Sequence, residues 1–201
     1  MKAEPSAADK SSGAGRPRDP RIDAAILRAT AELLVEIGYA NLTMAAVAER
    51  AGTTKTALYR RWSSKAELVH EAAFPATPSA IESPPGDFGS DLRAMIEVTR
   101  DVFVTPVVRA ALPGLIADMT ADADLAGRVA ARFGDVIVAL RERLDEAIKR
   151  GEVRSGVTPE RLVDIIGGAT LLAVLQSPDD LTSGDWVDSV TEILVRGVTA
   201  P

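Results

Sequence analysis

From residue 20 onward, apolar side chains recur at steps of three and four, a period that predicts one amphipathic helix after another. Ile22, Ile26, Ala29, Leu33 and Ile37 share one face of a helix over residues 20–36, opened by Pro20 at its first position and closed by Gly38. Tyr39 and Leu42 follow as core residues. Thr43 can cap a second helix with the small apolar face Ala45, Ala46, Val47, Ala48 and Ala51, and Gly52 supplies the positive φ that ends it. Thr53 and Thr54 can cap a third helix running to Trp62, with Ala57, Leu58 and Trp62 inward. Ser63 or Ser64 caps the next helix; if Ser64 is the cap, Lys65 lies in the first turn and Glu67 completes a capping box. His70, near the end of that helix, reads as a packing or surface residue.

Residues 75–90 carry four prolines and predict a stiff loop between this head and a helical body. Leu92, Met95, Ile96, Thr99, Val102 and Phe103 predict a helix over residues 91–105. A second body segment covers 106–119, with Pro113 expected to break or kink it. Leu125, Val129, Phe133, Ile137, Leu140, Leu144 and Ile148 predict one long helix over 124–150, bent at Gly134 and stopped by Gly151. Thr158 and Pro159 open the next helix as cap and first residue. Its centre, residues 165–175, is apolar on every face, too short to span a bilayer, and so expected to be buried on both sides. Pro178 ends it. The last helix, over 184–196, points Trp186, Val190, Ile193 and Leu194 inward. The expectation is an all-α fold of about nine helices.

Composition narrows the chemistry. The chain has 201 residues, no cysteine, one histidine and 4% aromatic residues. That length can bury a core, and the Ala, Val and Leu content favours packed helices over a sheet. Without cysteine there are no disulfides, thiolate metal sites or thiol nucleophiles, and a reducing, cytoplasmic location fits. With a single histidine, triads and zinc sites are nearly excluded, and no glycine-rich phosphate loop follows a strand. Carboxylates such as Asp118, Asp122 and Asp124 read as helix caps or a solvated face. No catalytic, cofactor-binding or metal-ligating residue is expected, and an enzyme is the least supported class.

The net charge of −6 conceals a division. Residues 16–69 hold nine Lys/Arg against six Asp/Glu, a balance of +3, and residues 70–201 hold 12 against 21, or −9. A basic module on an acidic body suits local phosphate binding, although charge also varies by chance. Residues 1–15 lack an apolar run and read as a disordered leader, neither signal peptide nor membrane anchor. Arg16 and Arg18 flank Pro17 on a short arm that could enter a minor groove; the alternative is a solvated linker.

Two short helices joined at a glycine make a helix-turn-helix pattern. The outward face of the second carries Lys55, Thr56, Tyr59, Arg60 and Arg61, donors and hydroxyls suited to phosphates and base edges. Here the sequence resembles the TetR/AcrR-type transcriptional regulators. Ala51, Gly52, Thr54, Leu58, Tyr59, Lys65, Glu67 and Leu68 match that family's pattern, and Trp62 stands where Phe is usual. Thr53, Ala57 and Arg61 depart from it without breaking it.

The resemblance implies a DNA-binding domain over 16–69 and a helical effector-binding and dimerisation domain over 70–201. It implies a repressor, held as a homodimer on an inverted-repeat operator in double-stranded DNA and released by a small-molecule effector. Lys55, Thr56 and Tyr59 are expected on base edges, and Thr43, Thr54, Arg60, Arg61 and Lys65 on phosphates. Met95, Thr99, Phe103, Met119 and Phe133 are candidate pocket residues, mostly apolar. Gly168, Leu171, Leu172, Leu175, Trp186, Val190 and Leu194 are candidates for the dimer interface, unless that hairpin is buried within a monomer. The competing reading is a helical protein-interaction module whose head binds another protein.

Overall fold

The computed structural model describes residues 20–75, 87–131 and 134–199, so the 1–15 leader, the arm with Arg16 and Arg18, most of the proline-rich loop and Phe133 lie outside the described residues. Within them the chain is all helix. The head is α1 (Pro20–Asn41), α2 (Met44–Arg50), α3 (Lys55–Tyr59) and α4 (Lys65–Ala73). The body is α5 (Phe88–Phe103), α6 (Pro106–Ala121), α7 (Ala123–Ala131), α8 (Gly134–Lys149), α9 (Pro159–Gln176) and α10 (Gly184–Val198), with a single 3₁₀ turn at Asp180–Thr182. No single helix among the described residues is long and apolar enough to cross a membrane; α5 and α6 meet that test only as a pair bent by 84°.

Local chemistry sets the boundaries. The hydroxyls of Thr43, Thr54, Ser64, Thr105 and Thr158 each accept the N–H three residues on, as does the Asp87 carboxylate. These caps satisfy amide donors that a helix start leaves unpaired. Glu67 reaches back to the Ser63 N–H and hydroxyl, both at 2.7 Å, one residue earlier than a capping box requires.

Gly38 ends the regular part of α1 as expected, at φ 73° and ψ 168°, a conformation open to glycine at little cost, and a further turn reaches Asn41 beyond that kink. Several expectations change. Ile22 and Ile37, expected inward, are more than a third exposed; the buried stripe is Ile26, Ala29, Thr30, Leu33 and Leu34. Regular helix in α3 stops at Tyr59, although Trp62 N–H still reaches the Leu58 carbonyl at 2.9 Å. Pro113 neither breaks nor ends α6. It lies on the exposed side, where water can take the Arg109 carbonyl that loses its donor. The helix expected over 124–150 is seen as α7 and α8, with residues 132 and 133 between them outside the described residues, so ten helices are described.

Two buried apolar clusters organise the molecule. One begins in the head (Ile26, Leu34, Val47, Leu58, Leu68) and continues into α6 and α7 through Val108, Leu115 and Leu125. The other joins α5, α8, α9 and α10 through Leu92, Ile96, Leu144, Ile166 and Val187. Partly buried Arg143 and Asp91 tie α8 to α5 at 3.1 Å, and Arg154 caps the end of α10 by donating to the Gly197 carbonyl at 2.8 Å. The head is thus packed onto α6 directly.

Candidate nucleic-acid interface

Leu58 and Trp62 are buried and fix α3 against the head, with the Trp62 indole N–H donating to Glu71 at 2.9 Å. Because they point in, Lys55, Thr56, Tyr59 and Arg60 must point out, and all four are exposed. No side-chain hydrogen bond or ion pair engages any of the four among the described residues. Thr43 and Thr54 are exposed at the starts of α2 and α3. Each hydroxyl accepts a backbone N–H at 3.2 Å, which leaves its own proton available to a phosphate oxygen.

Two other expected phosphate ligands are used inside the head. Arg61 pairs with Asp23 on α1 and also donates to the Ala57 carbonyl at 3.1 Å, and its side chain is mostly buried. It braces the recognition segment against α1, which corrects its assignment to the outward face. Lys65 donates to the Tyr39 carbonyl at 3.1 Å with its ammonium 4.1 Å from the centre of the Tyr39 ring. Arg50 is also spent internally, on Glu36 at 2.7 Å and Glu32 at 3.4 Å. That pairing holds the Glu36 carboxyl below its ordinary range.

An exposed helix carrying two cations, two hydroxyls and no internal partner is built to meet a polar surface. Comparison with known proteins decides whose. The chain matches the model of "Bacterial regulatory proteins, tetR family" over residues 26–72 and that of "Tetracyclin repressor-like, C-terminal domain" over residues 84–194. The chain belongs to the TetR family. It is 31% identical to the DNA-binding transcriptional repressor TetR of Mycobacteroides abscessus over 86% of this chain and 93% of that one. It is 28% identical to the uncharacterized HTH-type transcriptional regulator YdeS of Bacillus subtilis, over 92% of this chain and 94% of that one. Salmonella enterica GusR shares the fold, with a TM-score of 0.63 at 17% identity, over 88% of this chain and 94% of that one. As a TetR-family member the chain is a DNA-binding transcriptional regulator, and its relatives are named as regulators rather than enzymes.

The candidate pocket residues are dispersed along the body of this TetR-family fold. Met95 is buried in the second cluster, Thr99 is half-buried, and Phe103 and Met119 flank the first cluster. Phe103 meets Phe74 edge-on, with ring centres 5.7 Å apart, and Phe74 stacks on buried His70 at 5.0 Å.

The interface candidates divide. Gly168, Leu172 and Leu175 are exposed, and a Cβ added at Gly168 would meet nothing. Leu171, Trp186 and Val190 are half-buried against the chain's own clusters, and Leu194 is buried in the second. Leu194 therefore faces its own core. Sequence reasoning missed Ile165, exposed one turn before Gly168, and Ile193 on α10, which is 68% exposed although expected inward. Residues 165–175 are consequently not buried on both sides within one chain.

Tyr39 is buried as expected, at 8% exposed, and its hydroxyl donates to the Asp118 carboxylate on α6. Burial first, and the hydrogen bond to Asp118 second, raise the hydroxyl's pKa above its ordinary value. Stability from this proton is fully present below about pH 10, the unfolded value, and is lost as pH rises toward the folded one. Tyr39→Phe is expected to flatten part of the alkaline fall in melting temperature, as followed by circular dichroism between pH 8 and 11.

Proposed function

We propose that the chain is a cytoplasmic homodimeric repressor that binds an inverted-repeat operator and is released by a small apolar effector. The observation carrying this reading is the exposed quartet Lys55, Thr56, Tyr59 and Arg60 on a buried-backed helix, paired with an apolar stripe on α9 that its own chain leaves uncovered. Residues 16–69 are then the DNA-binding domain, and 70–201 the effector-binding and dimerisation domain. Lys55 reads guanine acceptors, Thr56 and Tyr59 touch base edges or thymine methyls, and Thr43, Thr54 and Arg60 take phosphates. A two-fold pair of heads reads half-sites about one helical turn apart, which makes the target an inverted repeat. For the effector, α5 supports a place between the clusters, because it passes from buried Met95 through Thr99 to Phe103. Such a ligand releases DNA only if it favours the head spacing that DNA does not, since equal affinity for both states shifts nothing.

Retardation of the gene's own upstream duplex over a salt series tests this reading. Specific retardation with a steep salt slope is expected. Lys55→Ala should lose about 1–3 kcal/mol on the specific duplex, roughly ten- to hundredfold, and Arg60→Ala should lower the slope by about one per copy. Equal, weak binding to any duplex at low salt, unchanged by Lys55→Ala, would leave the protein-interaction module as the better account.

A further inference from the structure

The Tyr39 ring touches three segments at once. The Gly38 kink (φ 73°, ψ 168°) carries it out of the line of α1 toward the body. On one side it lies against the backbone of α6 at Gly114, where a Cβ would sit 2.0 Å from its Cδ1. Against the ring is the ammonium of Lys65, the first residue of α4. At its tip the hydroxyl donates to Asp118, one turn further along α6. The elbow between α1 and α2, the start of α4 and the body helix α6 therefore meet at one side chain.

Apart from the partly exposed Arg128–Glu67 pair at 3.8 Å between α7 and α4, the remaining packing of the head on the body is apolar: Leu33 and Leu34 of α1 and Leu68 and Val69 of α4 share a cluster with Val108, Ala111, Leu112 and Leu115 of α6. Apolar packing is non-directional, and small rotations cost it little. A hydroxyl–carboxylate bond is directional, and a rotation that breaks it leaves a buried hydroxyl without a partner.

We propose that Tyr39 and Asp118 form a register lock that sets the angle of each head on its body and so the half-site spacing the dimer accepts. This rests on the dimeric-operator reading above and adds a positioning pair to it. Lys65 belongs to the lock: it holds the ring against Gly114 from the α4 side, so that a shift of α6 is felt at the elbow and at α4 together.

The test is selection from a pool of duplexes with randomised half-sites and spacers of varied length, using the full chain. Wild type should enrich one spacing. Tyr39→Phe and Asp118→Ala should each enrich that spacing and those one base pair to either side, within about threefold of one another, with unchanged half-site sequence. The double variant should be no broader than either single one, the signature of one shared interaction. Asp118 is half-exposed on a helix that alanine favours, so Asp118→Ala remains informative if Tyr39→Phe folds poorly. A single sharp spacing in Asp118→Ala identical to wild type would overturn the lock while leaving the regulator intact. Enrichment of single half-sites by wild type would instead overturn the dimeric reading, and the lock with it.

Discussion

Replacing Leu172 and Leu175 with glutamate should yield a folded monomer that no longer retains its operator. Both side chains are more than half exposed in the single chain, at 53% and 56%, so the substitutions remove little from its own core. Exposed positions of this kind usually change folding stability by less than about 0.5 kcal/mol. In a dimer the same positions are expected to be covered twice over. Fully burying a leucine is worth about 1.5–3 kcal/mol, and about half of that remains to be gained at these half-exposed positions, so four leucines account for about 3–6 kcal/mol of association. Four carboxylates facing one another across a two-fold axis would add repulsion. Since about 1.4 kcal/mol is a factor of ten, the dimer should vanish at micromolar concentration. DNA binding would fall with it, because linked heads gain about a hundred- to ten-thousandfold over one head alone. Sedimentation and operator retardation, with circular dichroism as the folding control, read all three. A dimer that survives the double substitution would place the interface elsewhere and leave Ile165, Gly168 and Ile193 unexplained.

The same stripe marks the limit of what periodicity can tell. Residues 165–175 are apolar on every face, which correctly says that water should be excluded from all of them but not which neighbour excludes it. Ile166, Thr170 and Val174 are buried by the chain itself, and Ile165, Leu172 and Leu175 are left outward. A one-dimensional pattern carries no record of chain number. The helix caps were legible because each depends on a residue and the amides just after it, as Thr43, Thr54 and Thr158 illustrate. The outward side of α3 was legible for a similar reason: Leu58 and Trp62 fix the inward side, and one turn decides the rest. Arg61 was misread because its partner, Asp23, is 38 residues away and no local spacing announces it. Tyr39 was identified as core, yet its hydroxyl bond to Asp118 spans 79 residues and its purpose was invisible. Gly114 carries no local signal in the sequence. In the folded chain its missing side chain is the space that the Tyr39 ring fills.

That filled space makes Gly114→Ala a strongly destabilising substitution for so small a change. In an open helix the change would stabilise, since alanine is favoured over glycine there by about 1 kcal/mol. Here the new Cβ would fall 2.0, 2.3 and 2.5 Å from three atoms of the Tyr39 ring. The ring cannot simply turn away. Lys65 covers it at 4.1 Å, Asp118 holds its hydroxyl, and its backbone lies beside the Gly38 kink, so relief requires α6 and the head to separate. Overpacking of this sort costs about 1–3 kcal/mol, occasionally more, which should outweigh the helix preference. For a domain of this size that is a fall of several degrees in melting temperature. The sign decides between two descriptions of the junction. A destabilised protein whose Tyr39 fluorescence and operator spacing are both altered fits a rigid three-way contact. A protein as stable as wild type would mean that the ring moves freely and that the head rests on α6 through its apolar packing alone.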